Sequence, residues 1–220
     1  MSKMDRINKI TLENVVPAVF LGDEIDSQVW LVNREFDRGK AYCIDAASGT
    51  GKTSLCSFIY GVRRDYSGEI RFDGFNIRKL RVAGWCEIRR THIAYLPQEL
   101  DVFDELTALE NVLLKNRLTG YKSEQEIRAM FERLEIDNRI GYKCGRMSVG
   151  QRQRVAFIRA LCQPFDFILL DEPVSHLDER NNSICAEILS EEASARRAGV
   201  IFTSVGNPLA LKGDIITLKL

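Results

Sequence analysis

Residues 46–53 read Ala-Ala-Ser-Gly-Thr-Gly-Lys-Thr and are separated from the apolar run 41–44 by Asp45 alone. The apolar run is typical of a short buried strand, and the amphipathic residues after position 53 predict a helix. A glycine-rich turn in this context lets successive backbone N–H groups point at the oxygens of a phosphate group. The partial positive charge of the helix N-terminus adds to that attraction. The segment therefore predicts a phosphate-binding loop.

Two side chains at the end of this loop carry specific chemistry. We expect Lys52 to reach the β- and γ-phosphates of ATP, and the hydroxyl of Thr53 to hold Mg²⁺. The alternative is a chance glycine-rich turn. The preceding strand, the following helix and the Gly-Lys-Thr ending all argue against it. The predicted cofactors are therefore ATP and Mg²⁺.

Outward from the loop, short apolar runs alternate with amphipathic stretches, which is typical of an α/β domain with a mainly parallel sheet. The pair Asp73-Gly74 lies between two strand-like segments and predicts a hairpin, hence a small antiparallel part. Further strands are expected at 93–96, 165–170, 200–203 and 215–220.

The periodicity becomes helical between residues 106 and 163. Three capping boxes each predict the start of a helix. They pair Thr107 with Glu110, Ser123 with Glu126, and Ser148 with Gln151. We therefore expect one domain, 1–220, with a core lobe at about 1–100 and 165–220. A helical subdomain is expected to be inserted at about 101–164.

Composition disfavours several classes of protein. Lys and Arg total 31, as do Asp and Glu, so the net charge of +0 gives no attraction for bulk nucleic acid. Two histidines and six scattered cysteines disfavour a zinc site and suit a reducing compartment. No apolar stretch follows residues 1–6, so a secretory signal is not expected. No window approaches the roughly 20 apolar residues of a membrane span.

An acid pair ends the apolar run 167–170. Asp171 is expected at the carboxyl edge of the sheet, where ligands bind in open α/β folds, and there it would hold Mg²⁺. Glu172 is placed to orient or deprotonate an attacking water. The alternative is that these two residues are exposed acids in a turn, and the presence of a phosphate loop argues against it.

Residues 147–154 form a third motif, a capped helix start that predicts a second anion site. One nucleotide needs only one phosphate loop. A second anion-binding helix end therefore indicates that two chains share each nucleotide.

In this order the motifs resemble the ABC ATPase family, and the resemblance covers nearly the whole chain. It rests on the phosphate loop, a Gln at a strand end, the Leu-Ser-Gly-Gly-Gln signature, the acid pair and a Ser-x-Leu-Asp loop. The matching positions are 48–53, Gln98, 147–151, Asp171 with Glu172, and 175–178. The resemblance implies a P-loop NTPase (RecA-like) core and a head-to-tail homodimer that encloses two ATP molecules.

The resemblance also implies roles for individual residues. Catalytic roles fall to Lys52, Gln98, Glu172 and the position of Ser204. Mg²⁺ ligands fall to Thr53, Gln98 and Asp171. Phe20 either stacks on adenine or is a plain core aromatic. The remaining nucleotide contacts are Ala47, Ser48, Gly49, Thr50, Gly51, Lys52, Thr53 and Ser54 from one chain, with Ser148, Gly150 and Gln151 from its partner.

The sequence departs from the family pattern at several positions. Ala46 replaces the first glycine of the loop, while Met147 and Val149 replace signature residues. Ser204 stands where the family has its switch histidine, and losing one such donor costs about tenfold to thousandfold in rate. His176 either compensates for the missing switch histidine or is simply an exposed loop histidine, which is the commoner case.

The leading interpretation is an ATP-hydrolysing ABC transporter subunit whose dimerisation moves a separate transmembrane permease. It would lie peripherally on the cytoplasmic face of the membrane, with membrane contact only through the permease. The alternative is a nucleotide-gated regulatory module with slow or vestigial hydrolysis, which Ser204 and Val149 keep open.

A soluble ABC ATPase of DNA repair or translation is disfavoured, because the chain has one cassette and no heptad tract. The sequence ends directly after the last expected strand. In this compactness it resembles the ABC ATPases that serve lipoprotein release, drug efflux and cell-division permeases.

Overall fold

The computed structural model describes residues 5–220. Residues 1–4, part of the N-terminal segment in which no secretory signal is expected, lie outside this range. The strands are β1 (Lys9–Pro17), β2 (Asn33–Asp37), β3 (Ala41–Asp45), β4 (Tyr66–Phe72), β5 (Phe75–Asn76), β6 (Ile93–Leu96), β7 (Phe167–Leu170), β8 (Gly199–Ser204) and β9 (Ile215–Lys219). The helices are α1 (Lys52–Ile59), α2 (Val82–Thr91), α3 (Ala108–Asn116), α4 (Glu124–Arg133), α5 (Val149–Leu161) and α6 (Glu179–Arg196).

The strands form two sheets. One is antiparallel in the order β2-β1-β4-β5, and the other is parallel in the order β6-β7-β8-β3-β9. Antiparallel neighbours need only a tight turn, and Asp73 (φ 46°) with Gly74 (φ 82°) supplies the positive φ angles that this turn requires. The predicted hairpin is therefore confirmed, as is the mainly parallel sheet.

The three predicted capping boxes are all present. In each one, the side chain of Thr107, Ser123 or Ser148 accepts from the third helical N–H, and the reciprocal bond is also made. Each box satisfies backbone groups that the first helical turn otherwise leaves unpaired. These helix starts are thus set by sequence within four residues.

The parallel sheet separates two hydrophobic clusters. Ile168 and Leu170 face the cluster that contains α3, α4, α5 and α6, whereas Phe167 and Leu169 face the cluster shared with α1 and the antiparallel sheet. All four side chains are fully buried, as expected for a central parallel strand that is covered on both faces. The division into a core lobe and a helical subdomain at about 101–164 stays a prediction.

The sheet order determines where chemistry can occur. Strands β3, β7 and β8 are adjacent and parallel, so their carboxyl ends meet at one edge of the sheet. Asp45 pairs with Ser204 at that edge, and Leu170 pairs with Phe202 just before it. The loop after β3 and the acids after β7 are thereby brought together.

Candidate functional site

The predicted phosphate loop curls around the ammonium group of Lys52. Its Nζ donates to the carbonyl oxygens of Ala46 at 3.0 Å and Ala47 at 2.7 Å. The side chain is only 5% exposed and lies 3.7 Å from Oε1 of Glu172. A buried ammonium held by neutral carbonyls and one carboxylate is suited to attract a phosphate group.

Gly51 caps α1 in a left-handed conformation, with φ 100° and no side-chain cap. A Cβ atom at this position would come within 3.3 Å of the rings of both Phe20 and Trp30. The loop thus needs glycine for its backbone angle and also for space. Trp30, which is 1% exposed, donates from its indole nitrogen to the carbonyl of Thr50 at 3.2 Å.

A hydrogen-bonded chain joins the loop to the acid pair. The hydroxyl of Thr53 donates to Oε1 of Gln98 at 3.3 Å, and Nε2 of Gln98 donates to Oε2 of Glu172 at 3.4 Å. Gln98 is in place because Pro97 ends β6 beside β7. Three predicted residues from separate segments therefore converge.

Asp171 is distinguished by the burial of its side chain, and Glu172 by its backbone conformation. Asp171 is 1% exposed, and its Oδ1 accepts from the hydroxyl of Thr203 at 2.7 Å. Its Oδ2 is buried and has no hydrogen-bond partner among the described residues. Glu172 instead has a left-handed backbone, with φ 49°. Such strain in a non-glycine residue is typical of functional sites.

Lys52, Gln98 and Glu172 border one open cleft of about 400 Å³, whereas Asp171 is not among the residues that line it. Phe20 lies on its rim, in a short 3₁₀ turn after β1, and also packs against the core cluster. Both roles considered for Phe20 thus have structural support, and stacking on adenine stays a prediction. The predicted residues that line the cleft are Phe20, Ser48, Gly49, Gly51, Lys52, Thr53, Ser54, Gln98 and Glu172.

The start of α5 does not border this cleft. Ser148 and Gln151 bond reciprocally there, at 3.2 Å and 3.0 Å, and none of the described residues lining the cleft comes from 147–151. A Cβ on Gly150 would come 2.8 Å from the carbonyl oxygen of His176. The predicted contacts of Ser148, Gly150 and Gln151 with nucleotide therefore require a site outside this chain's own cleft.

The family model described as ABC transporter matches residues 31–175, which is more than half of the chain. The chain belongs to the ABC transporter family. The ordered motifs are therefore those of an ABC ATP-binding protein, as the sequence predicts. Family membership supports ATP binding and, in general, ATP hydrolysis.

Relatives agree with this assignment. An uncharacterized ABC transporter ATP-binding protein of Mycobacterium tuberculosis is 29% identical over 212 residues, covering 95% of this chain. This chain spans 64% of the length of that relative. The lipoprotein-releasing system ATP-binding protein LolD of Syntrophotalea carbinolica is 32% identical over 162 residues, which cover 72% of this chain and 71% of LolD.

Solved structures of the ABC cassette MJ0796 share the fold. Its dimeric structure, described as that of a bacterial ABC transporter cassette, has a TM-score of 0.79 at 28% identity. The match covers 96% of this chain and 94% of the cassette. A second MJ0796 dimer, bound to ADP and Pi, has a TM-score of 0.75 and covers 89% and 87% of the two chains. The predicted P-loop NTPase fold is therefore confirmed.

Ser204, the largest departure from the family pattern, and His176, the residue considered as its compensation, differ in burial. Ser204 is 2% exposed at the end of β8, and its hydroxyl has no partner among the described residues. Its carbonyl accepts from the N–H of Ala46 at 3.2 Å, but its side chain does not line the cleft. A catalytic role for Ser204 stays a prediction. His176 is exposed and contacts the hydroxyl of Ser175 at 3.0 Å, so its compensating role also remains untested.

Sequence reasoning misses three supporting residues of the ABC site: Trp30, Gln153 and Thr203. Gln153 is 1% exposed, and its amide nitrogen donates to the carbonyl of Glu172 at 3.2 Å and to the hydroxyl of Ser175 at 3.3 Å. Its amide oxygen accepts from the N–H of His176 at 3.0 Å. For Gln153 and Thr203 the only sequence signal is a polar residue in a largely apolar part of a helix or strand next to a motif, and this signal does not reveal the partner. Trp30 lies in a turn and carries no such signal.

Across residues 5–220, none of the helices has the length and apolar character required to cross a bilayer.

Proposed function

We propose that the chain is the ATP-hydrolysing subunit of an ABC transporter, in which MgATP-driven dimerisation moves a separate transmembrane permease. One observation carries the proposal. Lys52, Gln98 and Glu172 come from three segments of the chain, yet they meet at one cleft, with Glu172 3.7 Å from Lys52 and 3.4 Å from Gln98. Phosphoryl transfer depends on this kind of convergence, because its catalysis is mostly positioning and charge stabilisation.

The residues at the cleft fit MgATP. Backbone N–H groups from Ser48 to Ser54 would bind phosphate oxygens, with Lys52 pairing the β- and γ-phosphates. The oxygens of Thr53, Gln98 and Asp171 are of the type that Mg²⁺ prefers. The unpartnered Oδ2 of Asp171 is a buried acceptor that calls for a ligand. Mg²⁺, when bound, supplies positive charge that offsets the charge of the phosphates.

Glu172 and Gln98 are proposed to handle the attacking water. Their side chains are hydrogen-bonded to each other and both line the cleft, so both can contact one water molecule there. Glu172 orients that water or accepts its proton. Ser204 is proposed to donate a hydrogen bond near the γ-phosphate in place of the family's histidine.

The proposed functional unit is a homodimer. Ser148, Gly150 and Gln151 do not line the cleft of their own chain, and a head-to-tail partner gives them a nucleotide to contact. The MJ0796 cassette is dimeric, which supports a dimer here as well. The dimer is proposed to lie on the cytoplasmic face of the membrane and to contact the membrane through its permease. The similarity to LolD, which belongs to a lipoprotein-releasing system, makes lipoproteins the first class of transported molecule to test.

A steady-state ATPase assay of Glu172→Gln beside the wild type tests the proposal. Gln keeps the size of the side chain but cannot accept the proton, so the rate is expected to fall about 100-fold or more while ATP binding persists. Glu124→Gln is the matched control, because Glu124 is an exposed helix residue paired with Arg128. An unchanged rate in Glu172→Gln overturns the enzymatic proposal and leaves the nucleotide-gated module.

A further inference from the structure

Thr203 is a buried polar residue, one position before Ser204, that the proposed mechanism does not use. It is 1% exposed, and its single hydroxyl makes two hydrogen bonds. The hydroxyl donates to Oδ1 of Asp171 at 2.7 Å and accepts from the backbone N–H of Glu172 at 2.9 Å. One side chain therefore contacts both members of the acid pair.

The position of Thr203 follows from the sheet. Leu170 pairs with Phe202 in the parallel register of β7 and β8, so the next residue on each strand stands beside the other. A threonine hydroxyl has one proton to donate. Because its oxygen accepts the N–H of Glu172, that proton is directed at Asp171. Exchanging the hydroxyl for an apolar group would leave the partly buried N–H of Glu172 without this acceptor.

The first bond determines which oxygen of Asp171 is available. Oδ1 is occupied by the hydroxyl, whereas Oδ2 has no hydrogen-bond partner among the described residues. A carboxylate held in this way has one fixed orientation and presents one free oxygen. Outer-shell partners of metal ligands act in this manner, and their removal typically costs about 10–100-fold in metal affinity or activity.

The second bond holds the strained residue. A left-handed backbone is unfavourable for a non-glycine residue, and Glu172 has φ 49°. Its N–H is bound by Thr203 and its carbonyl by Gln153, at 2.9 Å and 3.2 Å. The backbone of Glu172 is thus fixed from both sides, and its carboxylate points to Lys52 and Gln98.

We propose that Thr203 is a positioning residue that orients Asp171 toward Mg²⁺ and fixes the backbone of Glu172. The inference rests on the proposed function, because it assigns Thr203 to the acid pair of that ATPase. Thr203 acts through the two acids and need not touch nucleotide itself. A residue that only filled space here would affect folding but not the response to Mg²⁺.

The test compares Thr203→Val, which keeps the shape and removes both bonds, with Thr203→Ser, which keeps the hydroxyl. Thr119→Val is the matched control, since the Thr119 hydroxyl is buried without a hydrogen-bond partner among the described residues. Three quantities are measured: the ATPase rate, the unfolding temperature, and the affinity for a fluorescent ATP analogue with and without Mg²⁺.

In Thr203→Val we expect kcat to fall about 10–100-fold and the Mg²⁺-dependent gain in nucleotide affinity to shrink. Affinity without Mg²⁺ is expected to stay near the wild-type value, and Thr203→Ser to recover most of both losses. If Thr203→Val does not fold, Thr203→Ala takes its place. A wild-type Mg²⁺ response in the folded variant, or an equal loss in Thr203→Ser, overturns the proposal.

The binding measurement separates this inference from the proposed function. If Glu172→Gln hydrolyses ATP as fast as the wild type, the enzymatic proposal fails. The Mg²⁺-dependent affinity of Thr203→Val still reports on the orientation of Asp171 in that case.

Discussion

The starts of α1 and α5 look alike in sequence but differ in structure. Both follow a loop that contains small residues, and both are predicted to bind an anion. Gly51 caps α1 with a left-handed backbone and no side-chain bond. Ser148 caps α5 with a complete capping box, in which it exchanges bonds with Gln151.

This difference separates two ways of using a helix N-terminus. At α1 no cap side chain competes for the first N–H groups, so phosphate oxygens can take them. At α5 the N–H of Gln151 already donates to the hydroxyl of Ser148 at 3.2 Å. This bond stabilises the helix start but leaves fewer free N–H groups for an anion. The macrodipole is common to both helices, so we expect the cap to decide how strongly each helix start would bind phosphate.

The two glycines at these helix starts are needed for different reasons. Gly51 has φ 100°, which side chains rarely tolerate, and the rings of Phe20 and Trp30 crowd it. Gly150 has no such angle, but the carbonyl of His176 approaches to 2.8 Å of where its Cβ would be. Gly51 shapes the candidate phosphate loop, whereas Gly150 permits α5 to pack against the loop after β7.

The largest expected effect is at α1, in Lys52→Ala. Charged hydrogen bonds to two phosphates are worth about 1.5 kcal/mol or more each, so ATP affinity is expected to fall about 100-fold or more. Titration with a fluorescent ATP analogue measures this. Lys40→Ala is the control, because Lys40 is exposed and pairs with Asp37 outside the cleft. Near-normal affinity in Lys52→Ala would mean that the α1 end is not the main phosphate site.

A smaller effect is expected at α5, in Ser148→Ala. Loss of the cap is expected to lower the free energy of unfolding by about 1 kcal/mol. ATP affinity of the single chain should not change, whereas ATP-driven dimerisation of a Glu172→Gln background should weaken. Chemical denaturation and size-exclusion chromatography measure the two quantities.

Ser123→Ala is the matched control for this prediction. It removes the same kind of capping box from α4 and is expected to cost a similar free energy of unfolding, with dimerisation intact. Equal dimerisation of the Ser148 and Ser123 variants would show that the α5 end contacts no nucleotide.

The smallest effect on stability is expected in Val149→Gly, which restores the family residue at the start of α5. Val149 is 41% exposed, so the free energy of unfolding should change by no more than about 0.5 kcal/mol. Removing the β-branched side chain gives a phosphate closer access, and dimerisation should require less ATP. The ATP concentration at half-maximal dimerisation is the measurement. No shift would indicate that Val149 does not face the partner's nucleotide.

The parts of the fold that sequence predicts well are those decided by neighbours along the chain. The boxes at Thr107, Ser123 and Ser148 each depend on two residues three positions apart, and all three are present. Strand boundaries are less sharp. β7 begins at Phe167 rather than 165, because the N–H of Asp166 bonds the carbonyl of His92 outside the ladder.

The candidate site divides in the same way. Residues 46–53, Gln98, Asp171 and Glu172 are visible in the sequence, because phosphate and Mg²⁺ demand particular residue types beside particular turns. Thr203 and Gln153 are not visible, since an uncharged polar residue in a buried segment has many uses. Their roles depend on bonds to residues 19 to 32 positions away.

By itself, the sequence determines the family, the phosphate loop, the acid pair and the helix starts. Each of these depends on backbone geometry and residue types within a few positions. Only the tertiary structure decides that Thr203 orients the acids, that Trp30 supports the loop, and that the α5 end lies away from its own cleft. The reason is physical: strand order and packing bring distant residues together, and no local pattern encodes which buried hydroxyl or amide will meet which partner.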